Sequence, residues 1–448
     1  MKSALPAALF LIAASAKGAP AGSTPGAVPL TMSEAESRVE AANPRLAAAR
    51  LEALAAGKRE AQSRARHFGQ VDAVASYNNY ESARLVRPIS IELFKEPALG
   101  MAQLPWDENQ MHYGLVFQLP LLAGGALHEG DRIAALSRSA AEKTTLFTRD
   151  ELRYNVRAAY RNALLAGHAL GAARQYATAL SKDESDARLK VSVGALAPVD
   201  RSKLTYALRG AEAQVAELEA QRTTAFALLA AVMGEAPPQG GFELAEVPDE
   251  VPTAAGAEGS DASESALALR ADLAAIREGT RIFESRKRMT LEAFGPRLSL
   301  EGNVLWNRAP SVSGSLETHE LAVMLKLPLW NGLGRIHAVR EAEASLSAAR
   351  ERERGKELEI ATQVVDARGR LESARARLAA GQAQRELGRD VARVEKLKLE
   401  QGTGKVEDYL AARTQELSGE TAYWRGLYSL QSAVDYLDFV TARNGDAR

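Results

Sequence analysis

The chain has 448 residues, 46% apolar and 25% charged, with a formal net charge of -1. The 56 Lys+Arg against 57 Asp+Glu leave no basic excess for nucleic acid. With no cysteine, disulfides, zinc–thiolate sites, thiol catalysis and a lipid-modified cysteine are excluded. Alanine is abundant and aromatics are only 6%, the composition of helices with small side chains.

Lys2 precedes an uncharged Leu/Ala-rich run, Ala4 to Ala16, that ends Ala14-Ser15-Ala16. A positive start, an apolar core and a small-residue end predict a secretory signal peptide over residues 1–16. Residues 17–32, rich in Gly, Pro, Ala and Ser, are expected to form a flexible lead. No later stretch reaches about 18 uncharged apolar residues, so no transmembrane helix is expected.

The remainder is written twice. Phe117-Gln-Leu-Pro-Leu-Leu-Ala-Gly124 matches Leu325-Lys-Leu-Pro-Leu-Trp-Asn-Gly332 at an offset of 208, as Gly194 matches Gly402 and Asp200 matches Asp408. Upstream, Asn43-Pro-Arg-Leu46 aligns with Arg270-Ala-Asp-Leu273 at 227. The first copy therefore holds about 19 extra residues between 71 and 117, where Pro88, Pro97, Gly100 and Pro105 predict a long surface loop. The repeats are placed at 33–234 and 263–442, with a Pro/Gly/Glu-rich linker at 235–262 and a tail at 443–448. Each begins with a helical stretch, Ser33 to about Arg66 and Ser263 to about Ala293. Two strands follow, about 71–80 and 113–119 in the first copy and about 297–306 and 318–327 in the second. Two long helical stretches, broken near Gly194 and Gly402, complete each copy.

In the first copy Leu204, Leu208, Ala211, Val215, Leu218, Ala225, Leu229 and Val232 recur at steps of four and three, with Arg222 in one slot. Such spacing fits a coiled-coil seam or an amphipathic helix in a bundle. The second copy keeps Tyr423, Leu430, Ala433, Leu437 and Val440 in register, while Glu416, Gly419 and Gly426 interrupt it.

The strands alternate. Tyr113, Leu115, Phe117 and Leu119 oppose Gly114, Val116 and Gln118; Leu298, Leu300, Val304 and Trp306 oppose Ser299, Glu301 and Asn303. A soluble antiparallel sheet and a transmembrane β-barrel both alternate in this way, and the export signal favours the barrel. Four strands cannot close a barrel, and lipid does not tolerate open sheet edges, so membrane strands would demand an oligomer. Pro120 and Pro328 are expected to end each strand pair, with Gly124-Gly125 and Gly332 forming the tight passage into a helix.

The signal peptide, the paired strand–Pro–x–x–x–Gly–helix junctions and the paired turns Val193-Gly194-Ala-Leu-Ala-Pro-Val-Asp200 and Gln401-Gly402-Thr403-Gly-Lys-Val-Glu-Asp408 make the chain resemble the TolC family of outer-membrane efflux proteins. The resemblance covers nearly the whole mature chain. It implies a mainly α fold with a four-stranded membrane β-segment: a duplicated α-helical barrel, or coiled-coil tunnel, joined to a trimeric 12-stranded outer-membrane β-barrel. It implies a homotrimer set in outer-membrane lipid, with its tunnel in the periplasm. Such a protein is a passive exit duct of a tripartite efflux or type I secretion system. A periplasmic adaptor (membrane fusion) protein couples it to an inner-membrane transporter. The resemblance places adaptor contacts at Val193, Gly194, Ala195, Gly402, Thr403 and Gly404, and a pore entrance at Asp408 and Asp200. Family members with a double acidic ring carry a second acid where this chain has Ala411.

The residues themselves leave alternatives. A glycine C-cap with a helix restart explains Gly194 and Gly402 without a partner. A first-turn carboxylate at a helix N-terminus explains Asp200 and Asp408. Without a barrel, the same helices would make a periplasmic coiled-coil adaptor or scaffold. The six histidines are scattered, and His337 with Glu341 is read as a solvated i,i+4 pair. No P-loop, H-E-x-x-H or G-x-S-x-G occurs, so neither an enzyme nor a cofactor is expected.

Overall fold

A computed structural model of the protein describes residues 28–86, 104–246 and 261–443. The signal peptide expected at 1–16, most of the expected surface loop and most of the linker lie outside them. Six strands and eight α-helices are present among the described residues. In the first repeat these are β1 (Val28–Leu30), α1 (Met32–Ala42), α2 (Pro44–Ala65), β2 (Gln70–Leu85), β3 (Trp106–Ala123), α3 (Ala126–Ser192) and α4 (Pro198–Met233). After β4 (Phe242–Leu244) the second repeat gives α5 (Asp261–Leu269), α6 (Ala271–Glu292), β5 (Arg297–Arg308), β6 (Leu316–Lys326), α7 (Gly334–Glu400) and α8 (Val406–Val440).

The duplication survives in three dimensions. Helices α3 and α7 are each 67 residues long and begin 208 positions apart. At 1.5 Å per residue each runs about 100 Å. Helices α4 and α8 pack back along them, sealing the tip ends of the pairs with Leu180, Ala187, Leu204, Ala211 and Val406. No described helix is long and apolar enough to cross a membrane.

Several expectations need correction. The first helical stretch of each repeat is two helices, broken at Asn43 and Arg270. Asn43 has extended backbone, and its side chain accepts from the Arg45 and Leu46 N–H groups, so it caps α2 while Pro44 takes the first helical position. Arg270 adopts nearly the same backbone at the aligned position. The lead expected to be flexible contains β1, and the linker contains β4. These two pair in parallel, Val28 opposite Phe242 and Leu30 opposite Leu244, and the Tyr160 hydroxyl of α3 shares its one proton between the Leu30 and Ala245 carbonyls, each at 2.8 Å. Burying Leu30 and Phe242 against α3 and α4 orders segments whose composition alone reads as loop. The hairpin strands are longer than expected, 16 and 18 residues in the first copy against 12 and 11 in the second. Part of the extra length of the first copy is therefore strand.

The glycines of α8 do not interrupt the seam; they form it. A Cβ on Gly419 would lie 2.5 Å from the Gln384 carbonyl oxygen, and one on Gly426 would lie 2.8 Å from the Leu378 Cα. Gly381 and Gly388 on α7 meet α8 backbone in the same way. The two helices touch backbone to backbone at spacings of seven, where the leucine pattern has no residue to count.

Candidate functional site

Strands β2, β3, β5 and β6 form one antiparallel sheet in that order. Cross-strand partners share a face. One face carries Val71, Phe117, Gly302 and Leu321 in one row, and Leu119, Leu300 and Val323 in another. Ala75, Tyr113 and Trp306 lie in a row nearer the far end, with Tyr113 and Trp306 stacked at 6.0 Å. The other face carries Gln70, Gln118 and Glu301, then Asp72, Asn303 and Glu320, then Ser76, His112 and Asn307. The polar rows are cross-bonded: Gln118 donates to Glu301, Asn303 to Glu320, and Asn307 to Thr318. His319 and Glu317 are the polar residues of β6 on the apolar face, opposite Val304 and Trp306.

The apolar face is not covered by the protein. Leu321, Val323 and Leu325 are 70%, 66% and 67% exposed. From Leu298 to Trp306 the apolar stripe of β5 runs roughly 27 Å at about 3.4 Å per residue. That is the scale of the apolar band of a membrane barrel, about 25 Å tall. Leu329, Trp330 and Phe68 are exposed beside the helix-side end of the sheet, where the interfacial belt of such a barrel would fall.

The junctions from strand to helix differ. Pro120 lies inside β3, opposite Ser299, and the register shifts between it and Leu122. The expected stop at Pro120 is thus a bulge, which suits a residue with no N–H to give. Gly124 and Gly125 turn the chain at positive φ, and a Cβ on Gly124 would strike the Glu292 carbonyl at 2.8 Å. In the second copy β6 ends at Lys326, before Pro328. Arg335 donates to the Pro328 carbonyl at 2.6 Å, and Gly332 takes φ +67°.

At the opposite end of the helices the two turns are near copies. Gly194 and Gly402 have φ of +73° and +75°. The Ala195 N–H donates to the Lys190 carbonyl and the Gly194 N–H to Val191; Thr403 donates to Lys398 and Gly402 to Leu399. This is the Schellman closure of a helix, with glycine in the left-handed position. Val193, Gly194, Ala195, Gly402 and Thr403 are all exposed, and Gly404 is half-buried against Lys398 and Leu399.

Asp200 and Asp408 both fall at the third residue of a helix, Asp200 half-buried and Asp408 exposed. The contacts between the turns run through residues the motif comparison passed over. The Lys203 ammonium bonds Asp200 at 3.0 Å and also bonds Glu407. Its hydrogen bonds to Glu407 and Asp200 push the Lys203 ammonium up, and Lys203 in turn holds the Glu407 carboxyl below its ordinary value. Tyr409, 1% exposed, donates to Asp183 of α3 at 2.5 Å; burial and then that carboxylate push its hydroxyl up. Glu407 precedes Asp408 by one position and turns toward Lys203 of α4, whereas Asp408 is exposed. Only the packing of α8 on α3 decides which of the two carboxylates meets a cation.

Residues 262–443 match the family profile "Outer membrane efflux protein". No curated protein matches significantly. Solved structures extend the likeness to the first repeat. A membrane protein from Pseudomonas aeruginosa is 19% identical, with a TM-score of 0.76 over 92% of this chain and 93% of that one. The Campylobacter jejuni CmeC outer membrane channel is 16% identical, with a TM-score of 0.73 over 95% and 90%. The VceC outer membrane protein of Vibrio cholerae is 15% identical, with a TM-score of 0.70 over 92% and 95%. The second repeat thus matches the outer membrane efflux protein family, and the fold of both repeats together is similar to that of solved outer-membrane channels.

Proposed function

We propose that three copies assemble their sheets into one 12-stranded barrel and their helices into one tunnel, the passive exit duct of a tripartite efflux or type I secretion system. The observation that carries this reading is the sheet. Its apolar face is bare, and the outer edges of β2 and β6 pair with nothing among the described residues. In lipid each unpaired N–H or C=O costs several kcal/mol, so both edges must find partners in other copies. A periplasmic scaffold would have no use for such a face. The exposed turns at Val193–Ala195 and Gly402–Gly404 are the surfaces offered to a periplasmic adaptor, which would link the duct to an inner-membrane transporter. Asp408 and Asp200 would stand at the tunnel entrance.

Detergent-extracted protein is expected to run as a heat-sensitive trimer and to open pores in planar lipid bilayers. Leu321→Arg, opposite Gly302 in the middle of the apolar stripe, puts a charge on the lipid side at a cost of about 2–4 kcal/mol near the midplane and should block membrane assembly. Glu320→Gln on the inner face should be mild. A stable soluble monomer, or a Leu321→Arg protein that assembles normally, overturns the proposal.

A further inference from the structure

We infer that the tunnel wall carries, in each copy, a recess that holds the anionic group of a passing organic solute; the inference rests on the channel reading above. A cavity of about 580 Å³ lies over α8, between α3 and α7. Arg370 and Arg377, seven residues apart on one stripe of α7, form one side of it. Ser429, Ser432 and Tyr436 of α8 form its floor, and Tyr154 of α3 closes it. Gly369 and Ser373 are small enough to leave it open.

Its place in the wall follows from what covers the other side. Helix α1 and the β1–β4 sheet lie on the flank of α3 that carries Tyr160, Arg153 and Arg157, which reach Leu30, Glu40 and Glu36. Around α3, Tyr154 stands about 60° from Arg157, 100° from Arg153 and 120° from Tyr160, always to the same side, where it meets Tyr436 of α8 and not α1. In a ring of helices that wears α1 and the small sheet outside, the recess opens inward.

The chemistry selects charge. Arg370 is paired with Asp366 at 2.8 Å and lies 4.7 Å above the Tyr436 ring. Arg377 has no ion-pair partner among the described residues. Two arginines against one aspartate leave each recess net positive, and three copies would set a cationic belt around the tunnel. The guanidinium of Arg377 offers a planar pair of donors suited to a carboxylate, sulfonate or phosphate. The serine hydroxyls add neutral donors. Burial, with Tyr436 alongside, pushes the Tyr154 hydroxyl up, so it too is protonated and able to donate at neutral pH. Aromatic faces beside the arginines suit a solute with a flat apolar body.

The test uses fluorescein, an aromatic anion, and rhodamine 6G, an aromatic cation, as fluorescence-anisotropy probes on the detergent-extracted protein, with pore formation in bilayers measured on the same preparations. Arg377→Gln is expected to weaken fluorescein binding about fivefold, Arg377→Lys to restore part of it, and both to leave rhodamine 6G binding and pore formation unchanged. A conducting pore whose fluorescein binding ignores Arg377→Gln, or loses anion and cation binding alike, overturns the recess alone. A protein that opens no pores overturns the channel reading and with it the inward placement.

Discussion

At the residue scale, the link between the two turns is one ammonium. Lys203 sits between Asp200 on its own helix and Glu407 on α8. Glu407 is depressed below 4.5 in the folded protein, so its contribution is complete above that value and is lost as pH falls through the lowered one. Lys203 is raised above 10.5, so its contribution is complete below that value and is lost as pH rises through the raised one. The bridge therefore holds across neutral pH and opens in acid. Pore conductance should rise as the bath is acidified below 4.5, while Lys203→Met should conduct at that higher level at neutral pH and lose the acid response. A mutant with unchanged conductance and the same acid response would remove Lys203 from any part in holding the turns. The sequence displays both glycines and both aspartates through their shared offset. It does not display Lys203–Glu407, because a contact between α4 and α8 depends on how two helices lie on α3, and no spacing within either helix encodes that.

At the element scale, the two long hairpins are built differently. The α3–α4 pair is held near its turn by Leu180 of α3 against Leu204 and Ala211 of α4, and the four-three pattern of those two is legible in the sequence. The α7–α8 pair closes to backbone contact at Gly381, Gly388, Gly419 and Gly426. Glycine has no hydrophobicity to count, so the apolar pattern breaks at the positions where packing is tightest. Gly419→Ala drives a Cβ toward the Gln384 carbonyl at 2.5 Å, where only backbone can yield. The helices must move apart, at a cost of about 1–3 kcal/mol. Gly171 on α3 has nothing within 4 Å of its Cβ position, so Gly171→Ala should gain about 0.5–1 kcal/mol through helix propensity. Thermal unfolding followed by circular dichroism should move in opposite directions for the two variants. A common direction would mean that the α7–α8 approach is not the tight contact described. The strands sit between these cases: their alternation is plain in the sequence, but their true length, with Pro120 inside β3, is set by pairing across the sheet.

At the scale of the whole molecule, the two repeats must be fastened to each other before copies can be fastened together. One link is buried and ionic. Arg161 of α3 pairs with Asp435 of α8 and donates to the Gln431 carbonyl at 3.1 Å, with both side chains only 9% exposed. Burial, with Arg157 alongside, pulls the Arg161 guanidinium down to about 10, so it stays charged at neutral pH. Arg157 stands 3.7 Å from Asp435 and also bonds Glu36 of α1, tying α1 to the same point. Neither charge has a neighbour in sequence that would mark it, and a buried pair contributes position more surely than stability. Removing one partner is another matter. Arg161→Ala leaves Asp435 buried with Arg157 alone, and a broken buried pair costs about 3–5 kcal/mol, here toward the low end because Arg157 remains. Arg161→Leu together with Asp435→Leu removes both charges and should cost much less than Arg161→Ala. Heat dissociation of the proposed trimer measures this, since a loosened joint between repeats would open its ring at every copy. A double variant that dissociates at or below the temperature of Arg161→Ala would show that the pair stabilises the joint by its own attraction, and that the unpaired carboxylate is not the source of the loss.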